Sequence, residues 1–131
     1  VVDQEAVRRA FVRHRIANPL VLAQDGVEAL HMLRGEGDGP RLARPYIVLL
    51  DLNMPRMGGL EFLDAVRDDA DLSDMVVFVL TTSKSDEDVL ASYEHHVAGY
   101  IVKSDVGAGF QRLVDLLQSY WKVVVLPPER V

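Results

Sequence analysis

The residues best placed to do chemistry are Asp51-Leu52-Asn53-Met54-Pro55-Arg56-Met57-Gly58-Gly59. They follow the apolar run Tyr46-Ile47-Val48-Leu49-Leu50, which is patterned as a fully buried parallel strand. An Asp at the C-terminal end of such a strand is held by rigid backbone and faces the crevice where open α/β sheets place their sites. Pro55 sets φ and removes a donor, and Gly58-Gly59 is read as freeing the backbone ahead of the next helix. One carboxylate on a tight, preshaped loop is what a carboxylate nucleophile needs. Two more apolar runs end in polar residues. Val76-Val77-Phe78-Val79-Leu80 runs into Thr81-Thr82, and Tyr100-Ile101-Val102 runs into Lys103. In a parallel sheet all three ends lie on one edge, so a carboxylate, a hydroxyl and an ammonium can converge. Such a set can attack an electrophilic phosphorus while the cation and the hydroxyl neutralise charge on the phosphoryl oxygens.

Short apolar strands alternating with amphipathic helices are expected to position these groups. Asp3 to about Arg15 reads as a helix with Val7, Ala10 and Phe11 on one face and arginines around the other. Leu20–Ala23 reads as a strand, Gly26–Arg34 as a helix, and Gly35–Pro40 as a surface loop. A helix is expected over Leu60–Asp68, burying Leu60, Leu63 and Val66, and a strand over Met75–Leu80. Ser85 is read as the N-cap of the next helix, with Asp86, Glu87 and Asp88 in its positive first turn. The last helix is expected from Ala108 to about Trp121. The alternation implies a parallel α/β sheet with right-handed crossovers. The chain opens on a helix, where a doubly wound fold would lead with a strand.

Composition narrows the partners. The chain has 131 residues, 49% of them apolar, which is enough for one core. Lys and Arg number 14 against 20 Asp and Glu, a net charge of −6, which argues against direct binding to nucleic acid or an anionic membrane. With no cysteine, disulfides and thiolate metal sites are excluded. No run has the length of a membrane span and no signal peptide is visible. The expected location is the cytoplasm.

The motifs together resemble the response-regulator receiver domains of two-component signalling. The matching pieces are Asp25-Gly26-x-Glu28-Ala29-Leu30, Asp51-Leu52-Asn53-Met54-Pro55-x-Met57-x-Gly59, Leu80-Thr81-Thr82-Ser83 and Gly99-Tyr100-Ile101-Val102-Lys103, in family order over nearly the whole chain. The resemblance implies a flavodoxin-like, doubly wound five-stranded parallel sheet of order 2-1-3-4-5 with helices on both faces. It implies Asp51 as phosphate acceptor, Thr81 as switch hydroxyl (its spacing to Lys103 favours it over Thr82), Lys103 as the phosphoryl contact and Tyr100 as a rotating aromatic. It also implies an Mg²⁺ (or Mn²⁺) site to which Asp51 and the backbone carbonyl of Asn53 contribute. The chain would be a signalling domain and not a conventional enzyme, although it could catalyse its own phosphorylation and dephosphorylation.

A narrower similarity rests on Ala6-Val7-Arg8-Arg9-Ala10-Phe11, Leu80-Thr81-Thr82-Ser83, the long loop before the Tyr46 strand and the ending Tyr120-Trp121. These resemble the small single-domain regulators paired with bacterial and cyanobacterial phytochromes. The implied partner is a phytochrome-like sensor histidine kinase, with no DNA-binding output.

Three departures stand against the family pattern. Receivers begin with a central strand ending in two adjacent acids that bind the metal, and nothing precedes Val1-Val2-Asp3. The acidic pair is therefore expected upstream of Val1. With that strand missing, the Leu20 and Tyr46 strands are expected to lie about two strand spacings, roughly 9.6 Å, apart and unpaired. Ser104 replaces the usual proline after Lys103, which removes the reason for a cis peptide. His96 stands where relatives carry glycine.

Each residue also has a plainer reading. Asp51 could be a helix cap, Lys103 a solvated lysine, Thr81 the end of a strand and Tyr100 simple packing. Thr82 and Ser83 are expected to do no more than tune water access. His14, His31, His95 and His96 lack metal-binding spacing and read as structural, and the first-helix arginines as a solvated face. Two other function classes compete: a pseudo-receiver that binds partners without phosphorylation, and a hydrolase working through an aspartyl phosphate. The hydrolase would want a second acid two residues after the nucleophile, where Asn53 stands.

The chain divides into a receiver domain, 1–122, and an apolar tail, 123–131. Val123-Val124-Val125-Leu126 runs into Pro127-Pro128, too apolar for a free terminus and unable to continue a helix. The tail either folds back on its own domain or crosses to a second copy; the homodimer is the expectation.

Overall fold

The computed structural model describes residues 20–23, 25–36, 44–53, 57–105 and 110–128. Their elements run β1 (Leu20–Ala23), α1 (Gly26–Arg34), β2 (Ile47–Leu50), α2 (Gly59–Asp68), β3 (Val76–Thr81), α3 (Asp86–Glu94), β4 (Gly99–Val102), a 3₁₀ turn (Lys103–Asp105) and α4 (Gln111–Val123). The expected first helix, Asp3 to Arg15, lies outside the described residues, as does much of the Gly35–Pro40 loop.

All the strands are parallel and their order is β1-β2-β3-β4. Among the described residues that is the order 2-1-3-4-5 without the strand numbered 1. The expected gap is not there: Leu20 pairs with Ile47 and Ala23 with Leu50 in one continuous ladder. Two half-bare strands beside an empty slot would each leave a row of buried N–H and C=O groups unpaired, and direct pairing satisfies them.

The sheet sorts its side chains by strand alternation. Val48, Leu50, Val77 and Val79 point to one face, where they pack with Ala29, Leu30 and Leu33 of α1 and Phe62, Leu63 and Val66 of α2. Ile47, Leu49, Phe78 and Leu80 point to the other, under Leu113, Val114 and Leu117 of α4. Helices on both faces make this a doubly wound fold. Phe78 also meets Tyr120 edge to face, with centroids 5.0 Å apart.

Boundaries shift by a residue or two from the sequence expectation. Thr81 is inside β3, α2 begins at Gly59, and α4 extends to Val123. On α2 the buried residues include Phe62, while Leu60 is only partly covered. On α1, Ala29 is buried and Met32 is exposed. The cis peptide is Arg44–Pro45; the bond after Lys103 is not cis.

The tail is divided within itself. Leu126 is buried in the α4-side core, whereas Val123 and Val125 are 81% and 94% exposed.

Candidate functional site

The pairing register brings the three strand ends together. Leu50 lies opposite Val79, and Thr81 opposite Val102. Asp51, Thr81 and Lys103 therefore leave three neighbouring strands in sequence, each about one residue further along than the last. Lys103 sits two strands from Asp51, roughly 9.6 Å across the sheet, a distance its four-carbon stem can span. Its Nζ reaches Asp51 Oδ2 at 3.1 Å. The lysine side chain is 13% exposed and the aspartate 32%, so the pair is covered from behind and open in front. A phosphoryl group can approach the carboxylate from solvent while the ammonium is already in place.

The other oxygen, Asp51 Oδ1, accepts from the Asn53 N–H at 3.0 Å, which fixes the carboxylate plane. Leu52 O accepts from the Gly59 N–H at 3.0 Å, which closes the loop onto the first turn of α2. The glycines matter here for space, not for the backbone freedom expected of them. Gly58 has an ordinary extended conformation. A Cβ at Gly59 would stand 2.6 Å from Leu52 Cα and 3.0 Å from the Asp51 carbonyl oxygen. A Cβ at Gly26 would stand 2.6 Å from both Cβ and the carbonyl oxygen of Met57. Two helix starts thus press on the Asp51 loop from either side. Asp25 caps α1 by accepting from Val27 and Glu28 N–H groups at 3.0 and 3.2 Å.

Thr81 is fully buried, and its Oγ1 accepts from the Ser83 N–H at 3.3 Å. The Tyr100 ring packs against the α1–α2 core while its hydroxyl donates to the Ser83 carbonyl at 3.0 Å. Ser83 Oγ donates to Asp88 Oδ2 at 2.6 Å and accepts from the Ser85 N–H at 3.3 Å. Ser85 caps α3 as expected, accepting from Asp88 N–H. Ser83 is therefore no mere modulator of water access. The sequence carried no signal for its role, because the Ser83–Asp88 spacing matches no capping pattern.

Arg67 was also missed. Its guanidinium donates to four carbonyls: His95 at 2.6 Å, His96 at 2.9 Å, Ser73 at 2.9 Å and Met75 at 2.8 Å. Burial lowers its pKa from the ordinary value and Asp74 partly offsets this. The arginine ties the end of α3 to the approach to β3. It also holds His96, which has a φ of 60°, in the left-handed conformation that glycine adopts most readily. His95 closes α3 by a ring contact of 2.9 Å from Nδ1 to the Ala91 carbonyl, a structural role.

Oxygen donors of this kind suit a hard divalent cation, which takes six to eight oxygens or a near-octahedral set. At this place the described residues hold one carboxylate, Asp51, and no cluster of three or more His, Cys, Asp or Glu with metal-binding geometry occurs among them.

The chain matches the family model described as "Response regulator receiver domain" over residues 1–117. It is 36% identical over 126 residues to response regulator Rcp1 of Synechocystis sp., covering 95% of this chain and 86% of that one. The crystal structure of the Mn(2+)-bound form of Rcp1 superposes with a TM-score of 0.80 at 35% identity, over 96% of this chain and 91% of that one. The phosphorylated cyanobacterial phytochrome response regulator RcpA superposes with a TM-score of 0.81 at 34% identity, with the same coverage.

Proposed function

The chain belongs to the response regulator receiver family, and from that premise we propose that Asp51 is its phosphoryl acceptor and Thr81, Lys103 and Tyr100 its switch. The observation that carries this reading is the 3.1 Å contact between Lys103 Nζ and a carboxylate half open to solvent. In the transfer, a carboxylate oxygen of Asp51 attacks the phosphorus of a phosphohistidine. The P–N bond breaks, the P–O bond forms, and the imidazole leaves with its electron pair and takes a proton. Both reactants are anionic, so fixed positive charge must lower the barrier. Lys103 supplies it from the protein. A bound Mg²⁺ or Mn²⁺ would add charge neutralisation at the phosphoryl oxygens, with Asp51 and the Asn53 carbonyl among the groups that would hold it. The same groups let the domain take phosphate from small donors and return it to water.

Thr81 accepts from the Ser83 N–H and keeps its own O–H to donate to the new phosphoryl group, and a rotation of that hydroxyl would be felt at Ser83 and so at the Ser83–Tyr100 contact. The donor we propose is a phytochrome-like histidine kinase in the cytoplasm, in keeping with RcpA, described as a phytochrome response regulator. Val123 and Val125 stand bare beside the buried Leu126, and a second copy of this chain is the proposed cover, giving a C₂ dimer.

Incubation with a small phosphodonor and Mg²⁺, followed by mass analysis, tests the acceptor. One acid-labile phosphate is expected on the wild-type chain and none on Asp51→Asn; uptake by Asp51→Asn would sink the assignment. Val123→Asp/Val125→Asp leaves Leu126 in the core and should sediment as a monomer where the wild type sediments as a dimer.

A further inference from the structure

Four hydrogen bonds meet on one residue of the β3–α3 loop. The Ser83 N–H serves Thr81, its carbonyl serves Tyr100, and its hydroxyl both donates to Asp88 and accepts from the Ser85 N–H. These bonds lead into the end of β3, into β4 and into the first turn of α3. We infer that Ser83 is the positioning residue that joins the phosphorylation site to α3, and that the Asp88 carboxylate, through the Ser83 hydroxyl, holds this joint in the latched geometry before any phosphate arrives.

The strengths of the four bonds support this. The contacts from Ser83 N–H to Thr81 and from Ser85 N–H to Ser83 are long, 3.3 Å each, and are easily exchanged. The 2.6 Å contact to Asp88 is short and charge-assisted, the strong class of hydrogen bond. It does not depend on where Thr81 points, so the loop can release Thr81 toward a phosphoryl group without losing its anchor on α3. The anchor also sets the carbonyl at which Tyr100 docks. Ser92, the one fully buried polar residue of α3, donates to the Asp88 carbonyl at 2.8 Å, so Asp88 is itself braced by the next turn. Apolar packing contributes little here: Ser92 is the only buried residue on α3.

This inference rests on the proposed reading of Asp51 as acceptor. The test is phosphorylation kinetics of the whole chain with a small phosphodonor, with donor concentration varied so that saturation and maximal rate are read separately. Ser83→Ala keeps the backbone N–H and C=O but removes the anchor. The maximal rate should fall by about tenfold, the weight of one charge-assisted hydrogen bond, with half-saturation unchanged. Asp88→Ala should give the same fall, the double variant no further one, and Ser83→Thr should recover most of the rate. In the Ser83→Ala background, Tyr100→Phe should cost less than it does alone. Rates within twofold of wild type for Ser83→Ala, or losses that multiply in the double variant, would overturn the proposal. Phosphate appearing on Asp51→Asn would instead refute the acceptor reading and leave the kinetic result to be assigned to another site.

Discussion

Helices α2 and α3 stand side by side on the same sheet and are held by opposite means. α2 buries Phe62, Leu63 and Val66 completely, with Gly59 driven against the Asp51 loop. α3 buries only Ser92 and leaves Leu90 and Tyr93 at 65% and 48% exposure. What holds α3 is polar: Ser85 and Ser83 at its start, Arg67 at its end, and the Tyr100 hydroxyl beside it. The difference matches the two tasks proposed for them. An acceptor must not move, and close-packed apolar contacts have a single good arrangement. A reporter must move for the energy of a few bonds, and hydrogen bonds can be exchanged one at a time.

The largest expected effect tests the apolar side of this contrast. Phe62→Ala should cost about 3–5 kcal/mol in denaturant unfolding, whereas Leu90→Ala on α3 should stay within about 0.5 kcal/mol. Similar losses for the two would remove the distinction. Next is the polar side. Arg67→Ala strips a donor from four carbonyls and should cost about 2–3 kcal/mol. Amide exchange should accelerate at the end of α3 and not along α2. Arg67→Lys should recover little, because an ammonium cannot reproduce the planar fork; full recovery would mean that charge alone matters there.

A smaller effect is expected where the two regions are bridged. Lys103→Ala should change stability by no more than about 1 kcal/mol, since the pair is open to water on one side. Phosphate uptake should nonetheless drop by roughly a hundredfold as the charge at the transferring group is lost. An unaltered uptake rate would remove Lys103 from the site.

The smallest effect lies at the far end of α2. Burial pushes the Asp69 carboxyl up, but the N–H groups of Asp71 and Leu72 and the Arg34 guanidinium together hold it below its ordinary value near 3.8. A lowered folded pKa contributes stability that is fully present above the unfolded value and is lost as pH falls through the folded one. Asp69→Asn should therefore lower stability at neutral pH by less than about 1 kcal/mol, with the difference shrinking as the pH falls below about 4. A difference that grew as the pH fell would mean that the sign is wrong.

The run of elements was legible in the sequence because each carries its own pattern: four short apolar runs as strands, helices at 3.6-residue spacing, and Asp25 and Ser85 as caps. Asp51 and Lys103 were legible for the same reason. A polar residue at the end of an apolar strand has one place to go in a parallel sheet, and the register put both there. Three things were decided only by the tertiary structure. β1 pairs with β2, because buried ladder groups close onto whatever partner is beside them and no local pattern names that partner. Gly26 and Gly59 are needed for lack of room, which depends on Met57 and Leu52 standing against them in space. Ser83 and Arg67 take their importance from the Asp88 carboxylate, the Tyr100 hydroxyl and four backbone carbonyls, some of them nearly thirty residues away along the chain. Periodicity reports which way a side chain faces. Only the folded chain determines which partner it meets there.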